Sequence, residues 1–151
     1  MVRRTRLNED HCPVARSVDA IGDWWSLLIV RDAFDGSRRF GDFQRSLGVA
    51  KNILAARLRT LVDGGILAVV PASDGSAYNE YVLTPKGEDL FNVIVALRQW
   101  GEAHFFAPDE PHSEMVDRRH GRPLRTLEVH SADGRRLDPA DTEVRKVVPG
   151  A

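Results

Sequence analysis

The sequence predicts a mainly helical α+β fold, and three observations support this class. Residues 38–63 contain two helical segments separated by a turn at Gly48, and the second segment is basic and amphipathic. Gly64-Gly65 ends that segment. Two short β-rich segments then flank the turn-forming sequence ASDGSA. The order of helix, turn, helix, strand, turn and strand predicts a winged helix-turn-helix unit.

Two further helices are predicted before this unit. Cys12-Pro13 begins the first, because a proline at the first helical position costs no hydrogen bond, and this helix ends near Ile21-Gly22. Asp23 caps the second helix, which is apolar on almost every side over residues 24–34. We therefore expect the second helix at the centre of the domain.

The unit itself is predicted to begin with a short edge strand over residues 38–40, followed by a helix that ends at Gly48. After the basic helix, residues 66–71 and 78–83 are expected to pair as a hairpin, the wing, with Asp74-Gly75 at its tip.

A long helix is predicted from Thr84-Pro85 to about Phe106. Its apolar positions cover more than half of its circumference, and a helix of this kind usually buries part of that surface in another chain. The positions expected at such a dimer contact are Leu90, Ile94, Leu97, Trp100 and Phe105.

Residues 107–151 differ in composition from the preceding chain and are predicted to form a small β-rich C-terminal appendage to a winged-helix domain at residues 1–106. Two short strands are expected around Asp133-Gly134, with a possible third over residues 144–148. The three histidines of the appendage lack the paired short spacing of metal ligands, so we predict no metal and no cofactor.

The basic helix, residues 51–63, has two distinct faces. Leu54, Leu58 and Leu61 are spaced i, i+4, i+7 and must point into a core. The opposite face suits close approach to DNA, because Asn pairs with adenine, Arg pairs with guanine and an alanine methyl contacts thymine. The residues expected to contact bases are Asn52, Ala55, Ala56 and Arg59. The alternative is the solvated face of an ordinary bundle helix.

Positive charge is concentrated on this unit although the whole chain has a net charge of −1. Residues 36–61 contain six Lys or Arg and one acid, which is the electrostatic footprint of a nucleic-acid site. We therefore expect double-stranded DNA as a partner. The expected phosphate contacts are Lys51, Arg38, Arg39 and Arg57. The wing sequence holds two acids and no base, so we expect it to lie near the DNA backbone at most.

Residues 12–106 resemble the HxlR-type winged helix-turn-helix transcriptional regulators, relatives of the MarR group. The resemblance rests on the order of CPVARSVDAIGDWWSLLIVRDAFDG, RRFGDFQRSL, VAKNILAARLRTLVDGGIL and EYVLTPKGEDL. It implies a homodimer that binds a pseudo-palindromic operator and responds to a small-molecule or redox signal, and we expect a repressor rather than an activator. Ala50 and Ala55 depart from the Ser or Thr that the family often has, and losing a hydroxyl cap at Ala50 should weaken the helix start by about 1 kcal/mol.

Two kinds of signal remain open. At a helix N-terminus the thiolate of Cys12 would be stabilised by the helix dipole, and some relatives sense oxidants or electrophiles through a cysteine at this place. The alternative is that Cys12 is a small buried residue. The competing signal is a small aromatic effector bound near Trp24, Trp25 and Trp100, and the alternative for these residues is plain core packing.

Other functional classes have little support. The sequence has no phosphate-binding glycine loop, no nucleophile motif and no HExxH, so we do not expect an enzyme. No apolar run reaches about 18 residues and the first residues lack an apolar signal segment, so we expect no membrane contact and a cytoplasmic location. The alternative function is a winged-helix module that binds protein instead of DNA.

Overall fold

The computed structural model describes residues 6–148. The described elements are α1 (Pro13–Ile21), α2 (Trp24–Phe34), α3 (Phe40–Leu47), α4 (Lys51–Asp63), β1 (Leu67–Pro71), β2 (Asn79–Leu83), α5 (Pro85–Glu88), α6 (Phe91–His104), β3 (Val129–His130), β4 (Arg136–Leu137) and a 3₁₀ turn at Pro139–Asp141. The mainly helical α+β class is confirmed. No helix among residues 6–148 is long and apolar enough to cross a membrane.

Contacts within the chain group the described residues into two units, 6–91 with 146–148 and 92–145. The domain boundary that composition predicts, between residues 106 and 107, stays a prediction.

The core of the first unit forms around α2, which contacts α1, α3, α4 and β2. This central position is the one expected from the apolar character of the helix. The residues buried to 1% exposure or less include Ile29, Val30, Phe43, Leu54, Leu58, Leu61 and Leu67. Burying each of these side chains contributes about 1.5–3 kcal/mol to folding, so they fix the positions of α3, α4 and β1 on α2.

Gly48 allows the sharp turn between α3 and α4. Its φ is +62°, a left-handed conformation that glycine adopts without strain, and its N–H donates to the Gln44 carbonyl at 2.9 Å. Val49 follows and is buried, so α4 begins close to the core.

The edge strand predicted at residues 38–40 is wrong. A backbone hydrogen bond joins this segment to the wing, from Tyr81 N–H to the Arg38 carbonyl at 2.6 Å. The N–H groups of Arg38 and Arg39 donate instead to the Asp42 carboxylate, at 3.3 and 3.0 Å. These bonds cap the start of α3, so the segment leads into a helix and does not continue as a strand.

The predicted wing is present as an antiparallel hairpin. β1 pairs with β2 from Leu67 opposite Leu83 to Pro71 opposite Asn79. Gly75 lies at the tip with a φ of +76°, in the left-handed region expected for an Asp-Gly turn.

The single long helix predicted after Thr84 is wrong, because the chain turns at residues 89–90 between α5 and α6. α5 is fixed to the start of β1: Thr84 N–H donates to the Ile66 carbonyl at 3.1 Å. A Cβ at Gly87 would lie 2.2 Å from that carbonyl oxygen, so only glycine fits there. The apolar periodicity continues through the turn, which is why the sequence pattern did not reveal it.

The second unit contains α6 and the C-terminal segment. The Gln99 side chain accepts from Leu127 N–H at 2.8 Å and donates to the Arg125 carbonyl at 3.1 Å. β3 and β4 pair around Gly134, as the Asp-Gly turn predicts. The possible third strand over residues 144–148 does not form, since these residues have no regular secondary structure.

Candidate nucleic-acid interface

The recognition helix, α4, has the two faces expected from its sequence. Leu54, Leu58 and Leu61 are buried, so the leucine face packs against the core as predicted. The residues exposed on the other side and at the N-terminal tip include Lys51, Asn52, Ala55, Ala56 and Arg59. This surface combines small side chains with an amide and two cations, which is the composition that permits close approach to base edges.

No side chain caps the start of α4. Ala50 is the N-cap residue in an extended conformation, and its carbonyl accepts from Ile53 and Leu54 N–H at 3.1 and 3.0 Å. Because alanine offers no side-chain acceptor, the N–H groups of the first turn are available to water or to an anion. Lys51 lies at the same end of the helix and is exposed.

Most of the basic side chains of residues 36–61 are already paired with acids. The pairs are Arg38–Glu80, Arg39–Asp74, Arg45–Asp42 and Arg57–Asp23. Lys51 and Arg59 form no ion pair with any of residues 6–148. The free positive charge of the unit is therefore concentrated on α4 itself.

Arg38 is part of a buried network at the base of the wing. Its guanidinium donates to Glu80, which is only 3% exposed. Ser73 donates to the same carboxylate through its N–H and its hydroxyl, both at 3.0 Å. The Ser73 N–H, followed by Arg38, holds the pKa of Glu80 below its usual value. This network joins the wing to the segment that precedes α3.

Arg39 forms an exposed contact with the wing tip, which we call the wing-tip ion pair. Its guanidinium donates to the Asp74 carboxylate and lies 5.8 Å from the centre of the Tyr78 ring. Asp74 also accepts from Ser76 N–H at 2.9 Å. Hydrogen bonds from Ser76, then from Arg39, lower the pKa of Asp74 to about 2.

An open groove of about 590 Å³ lies beside the wing-tip ion pair, between the start of α3 and β2. Its lining includes Arg39, Arg45, Tyr78, Asn79 and Tyr81. The groove thus brings two guanidinium groups and two phenol rings to the edge of the recognition helix-turn-helix.

Arg57 connects α4 to the start of α2. Its Nε lies 3.3 Å from Asp23 Oδ1. The same carboxylate caps α2 by accepting from the Ser26 N–H at 2.9 Å and from the Ser26 hydroxyl at 2.6 Å. This bonding gives Arg57 a role in holding α4 on the core.

Sequence analysis did not identify Lys86, which fixes the other end of α4. Its ammonium group donates to the Gly64 carbonyl at 2.7 Å, immediately after the helix. A cation at a helix C-terminus is favourable because the last carbonyls carry partial negative charge. The distance in sequence, 22 residues, leaves no local pattern that predicts this contact.

The comparisons with known proteins agree with this geometry. The HxlR-like helix-turn-helix family model matches residues 20–108, which include α4 and the whole wing. The chain belongs to this family.

Relatives of the chain are named as transcriptional regulators. An uncharacterised HTH-type transcriptional regulator of Mycobacterium bovis is 45% identical over 98 residues, which make up 65% of this chain and 62% of that protein. The chain therefore aligns with less than two thirds of the length of this curated relative.

Two solved structures extend the comparison. PA1607, described as a proposed transcription factor, has a TM-score of 0.89 and 56% identity, covering 95% of this chain and all 100% of that one. The oxidised form of the redox regulator HypR has a TM-score of 0.57 and 29% identity, covering 64% of this chain and 100% of that one. These similarities confirm the winged helix-turn-helix fold.

Cys12 lies just before the residues that the HxlR model matches. It is exposed and is the N-cap residue of α1, and its N–H donates to Asp10 Oδ1 at 2.8 Å. The position at a helix start is the predicted one. Its reactivity stays a prediction.

The three tryptophans of the HxlR chain occupy different environments. Trp24 is 72% exposed and contacts the half-buried Trp25 edge to face, with ring centres 5.9 Å apart. Trp100 belongs to the second unit, where its ring lies 5.1 Å from that of Phe105. Neither the groove beside the wing nor the cavity of about 220 Å³ along α6 has a tryptophan in its lining. An effector pocket at these residues stays a prediction.

The residues expected at a dimer contact also differ in exposure. Leu97, Trp100 and Phe105 are exposed in the single chain. Ile94 is only 7% exposed and Leu90 is half-buried, so these two offer little surface to a second chain.

Proposed function

We propose that this HxlR-type protein is a transcriptional repressor that binds a pseudo-palindromic operator as a homodimer. The observation that carries the proposal is the exposed face of α4, on which Asn52, Ala55, Ala56 and Arg59 are all open to solvent. Lys51 and the uncapped first turn of α4 add an anion-binding end to this face.

The roles of the basic side chains can now be divided. Arg59 is a base-contact candidate, and Lys51 is the phosphate contact that needs no rearrangement. Arg38 and Arg57 bind Glu80 and Asp23 and position the wing and α4. Each would have to leave a carboxylate to reach a phosphate.

A homodimer is supported by exposed apolar side chains on two helices. On α6, Val93, Leu97 and Trp100 are spaced i, i+4, i+7 and are all exposed. On α1, Val14 and Val18 are exposed one turn apart. Apolar rows of this kind commonly bury themselves against a second copy, and a symmetric dimer would place two recognition helices about 34 Å apart for successive major grooves.

The experiment is footprinting and fluorescence anisotropy on DNA upstream of the protein's own gene and its divergent neighbour. Replacing both Asn52 and Arg59 by alanine should abolish the footprint, because bidentate contacts from these side chains provide base discrimination. Arg145→Ala is the matched control, since it removes an exposed arginine from the C-terminal segment. Retention of a full footprint by the double variant would contradict the proposal.

The second candidate function is a winged-helix module that binds protein. The pairing of four of the six basic residues favours it, since paired cations attract a polyanion less strongly than free ones. Binding to duplex DNA that weakens with rising salt would exclude this candidate, because counterion release accompanies phosphate contacts.

We further propose that the repressor responds to an electrophilic or oxidising signal through Cys12. Its exposure and its place at the start of α1 support this role. As the sequence has one cysteine, oxidation can join two subunits or attach a small thiol. Diamide should therefore produce a dimer on a non-reducing gel and change operator affinity, and Cys12→Ser should remove both effects. An unchanged gel and affinity would leave Cys12 structural.

The competing signal is a small aromatic effector. Trp24 supports this proposal because its exposed ring, in edge-to-face contact with Trp25, offers an aromatic surface on which a flat ligand can stack. Titration of tryptophan fluorescence with aromatic metabolites tests this proposal. Quenching that is lost in Trp24→Ala supports it, and a flat response for the native protein contradicts it.

A further inference from the structure

We propose that Asp74 at the wing tip competes with a DNA phosphate for Arg39, so that the wing-tip ion pair weakens operator binding. The inference deepens the proposed function and rests on it. Asp74 would act as an internal substitute for phosphate, and Arg39 would exchange one anion for the other when DNA binds.

The position of Arg39 supports this exchange. It is the N-cap residue of α3 and lines the groove between α3 and β2. Both members of the pair are accessible, with side-chain exposures of 37% for Arg39 and 55% for Asp74. A phosphate can therefore approach the guanidinium without unfolding either element.

The remaining contacts of Arg39 would keep the guanidinium in place during the exchange. Tyr78 lies against it at 5.8 Å, Ser76 Oγ lies 3.4 Å from Nη2, and Glu80 Oε1 lies 4.0 Å from Nε. Since Arg can bind two phosphate oxygens through parallel N–H donors, a phosphate is a stronger partner than one exposed carboxylate.

The neighbouring Arg38–Glu80 pair shows what a permanent contact looks like in this fold. Glu80 is buried and also accepts two hydrogen bonds from Ser73. Breaking its pair with Arg38 would therefore leave a buried carboxylate without its arginine. Asp74 is not buried and bonds otherwise only to Ser76 in its own turn. Of the two ion pairs Arg38–Glu80 and Arg39–Asp74, the wing-tip ion pair therefore opens at the smaller cost.

The test is the Asp74→Asn variant in operator binding measured as a function of salt. Asparagine retains an acceptor for Ser76 N–H, so the turn should persist. In both proteins Arg39 meets a phosphate in the complex, so a similar number of counterions is released, but only the native protein must first break the wing-tip ion pair. Asp74→Asn should therefore bind the operator several-fold more tightly at low salt, and this gain should shrink as rising salt screens the exposed pair.

Two controls separate this exchange from a general change of charge. Asp63→Asn removes the same charge from the exposed end of α4, where no basic side chain of residues 6–148 is paired with it, and it should leave the salt dependence nearly unchanged. In an Arg39→Ala background, Asp74→Asn should produce no gain, because no guanidinium remains to be released. Circular dichroism confirms that each variant is folded.

The outcomes distinguish the two proposals. If Asp74→Asn behaves like Asp63→Asn, or if its gain persists without Arg39, the exchange is wrong while operator binding by the native protein stands. If the folded native protein and the variant both fail to bind the operator, the proposed function is wrong and the exchange fails with it.

Discussion

The recognition helix and the wing follow one another in the chain, but they carry charge in opposite arrangements. On α4, Lys51 and Arg59 are exposed and are not paired with any acid of residues 6–148. At the wing, Glu80 and Asp74 each bind an arginine that precedes α3. These two cations of α4 are thus free to bind a polyanion, whereas the acids of the wing hold the hairpin against the segment that precedes α3.

This difference shows why the formal charge of a segment overstates the positive field that the segment presents to DNA. Residues 36–61 have six bases and one acid, which suggests a strong attraction to DNA. Asp23, Asp74 and Glu80 lie outside that segment in sequence but bind its arginines in the fold. With them included, the unit keeps two free cations per chain, so specificity must depend on the contacts of α4 more than on bulk charge.

The largest expected effect comes from the buried side of the recognition helix. Leu58 is completely buried, so Leu58→Ala should destabilise the fold by about 2–5 kcal/mol through lost apolar contact and a cavity. Ile53→Ala on the same helix is the control, because Ile53 is 38% exposed and should cost about 1 kcal/mol or less. Urea unfolding measures both values. Equal losses of unfolding free energy would mean that the buried leucines do not hold α4 on the core.

A smaller effect separates free from paired cations. Lys51→Ala should lower the steepness of log K against log salt by about 1.8 for a dimer, because two phosphate contacts are lost. Arg45→Ala should change it little, since Arg45 binds Asp42 at 2.6 Å within α3. Anisotropy titrations at several salt concentrations give both slopes. A comparable change of slope in the two variants would show that an ion pair with an acid does not reduce a cation's contribution to DNA binding.

The local features of the fold could be predicted because they depend on neighbours in sequence. The i, i+4, i+7 leucines gave the orientation of α4, Asp23 gave the start of α2, and Asp-Gly gave the wing tip. The turn at residues 89–90 was missed because the apolar periodicity continues through it, and the close approach of Gly87 to the Ile66 carbonyl joins residues 21 positions apart.

The candidate site divides in the same way. The exposed face of α4 follows from helical periodicity, so its residues could be named from the sequence. The acids that bind Arg38, Arg39 and Arg57 come from 42, 35 and 34 positions away, and a charge count gives no indication of such partners. Acidic residues on either side of the basic segment are the signal in the sequence that could have suggested these partners.

The smallest expected effect concerns the stability of the wing in acid. Folding lowers the pKa of Asp74 from 3.8 to about 2, so the ionised carboxylate stabilises the folded chain above the unfolded pKa, and this contribution is lost as the pH falls from about 4 to about 2. Asp74→Asn should therefore unfold more easily than the native protein near neutral pH and equally near pH 2. Glu80 and Asp42, whose pKa values are also lowered, are present in both proteins and cancel in the comparison.

Denaturant unfolding at several pH values measures the difference, which should be modest because water and salt screen an exposed pair. A difference that persists unchanged near pH 2 would mean that the carboxylate's charge does not hold the wing tip, and the contrast between α4 and the wing would then rest on the buried Arg38–Glu80 pair alone.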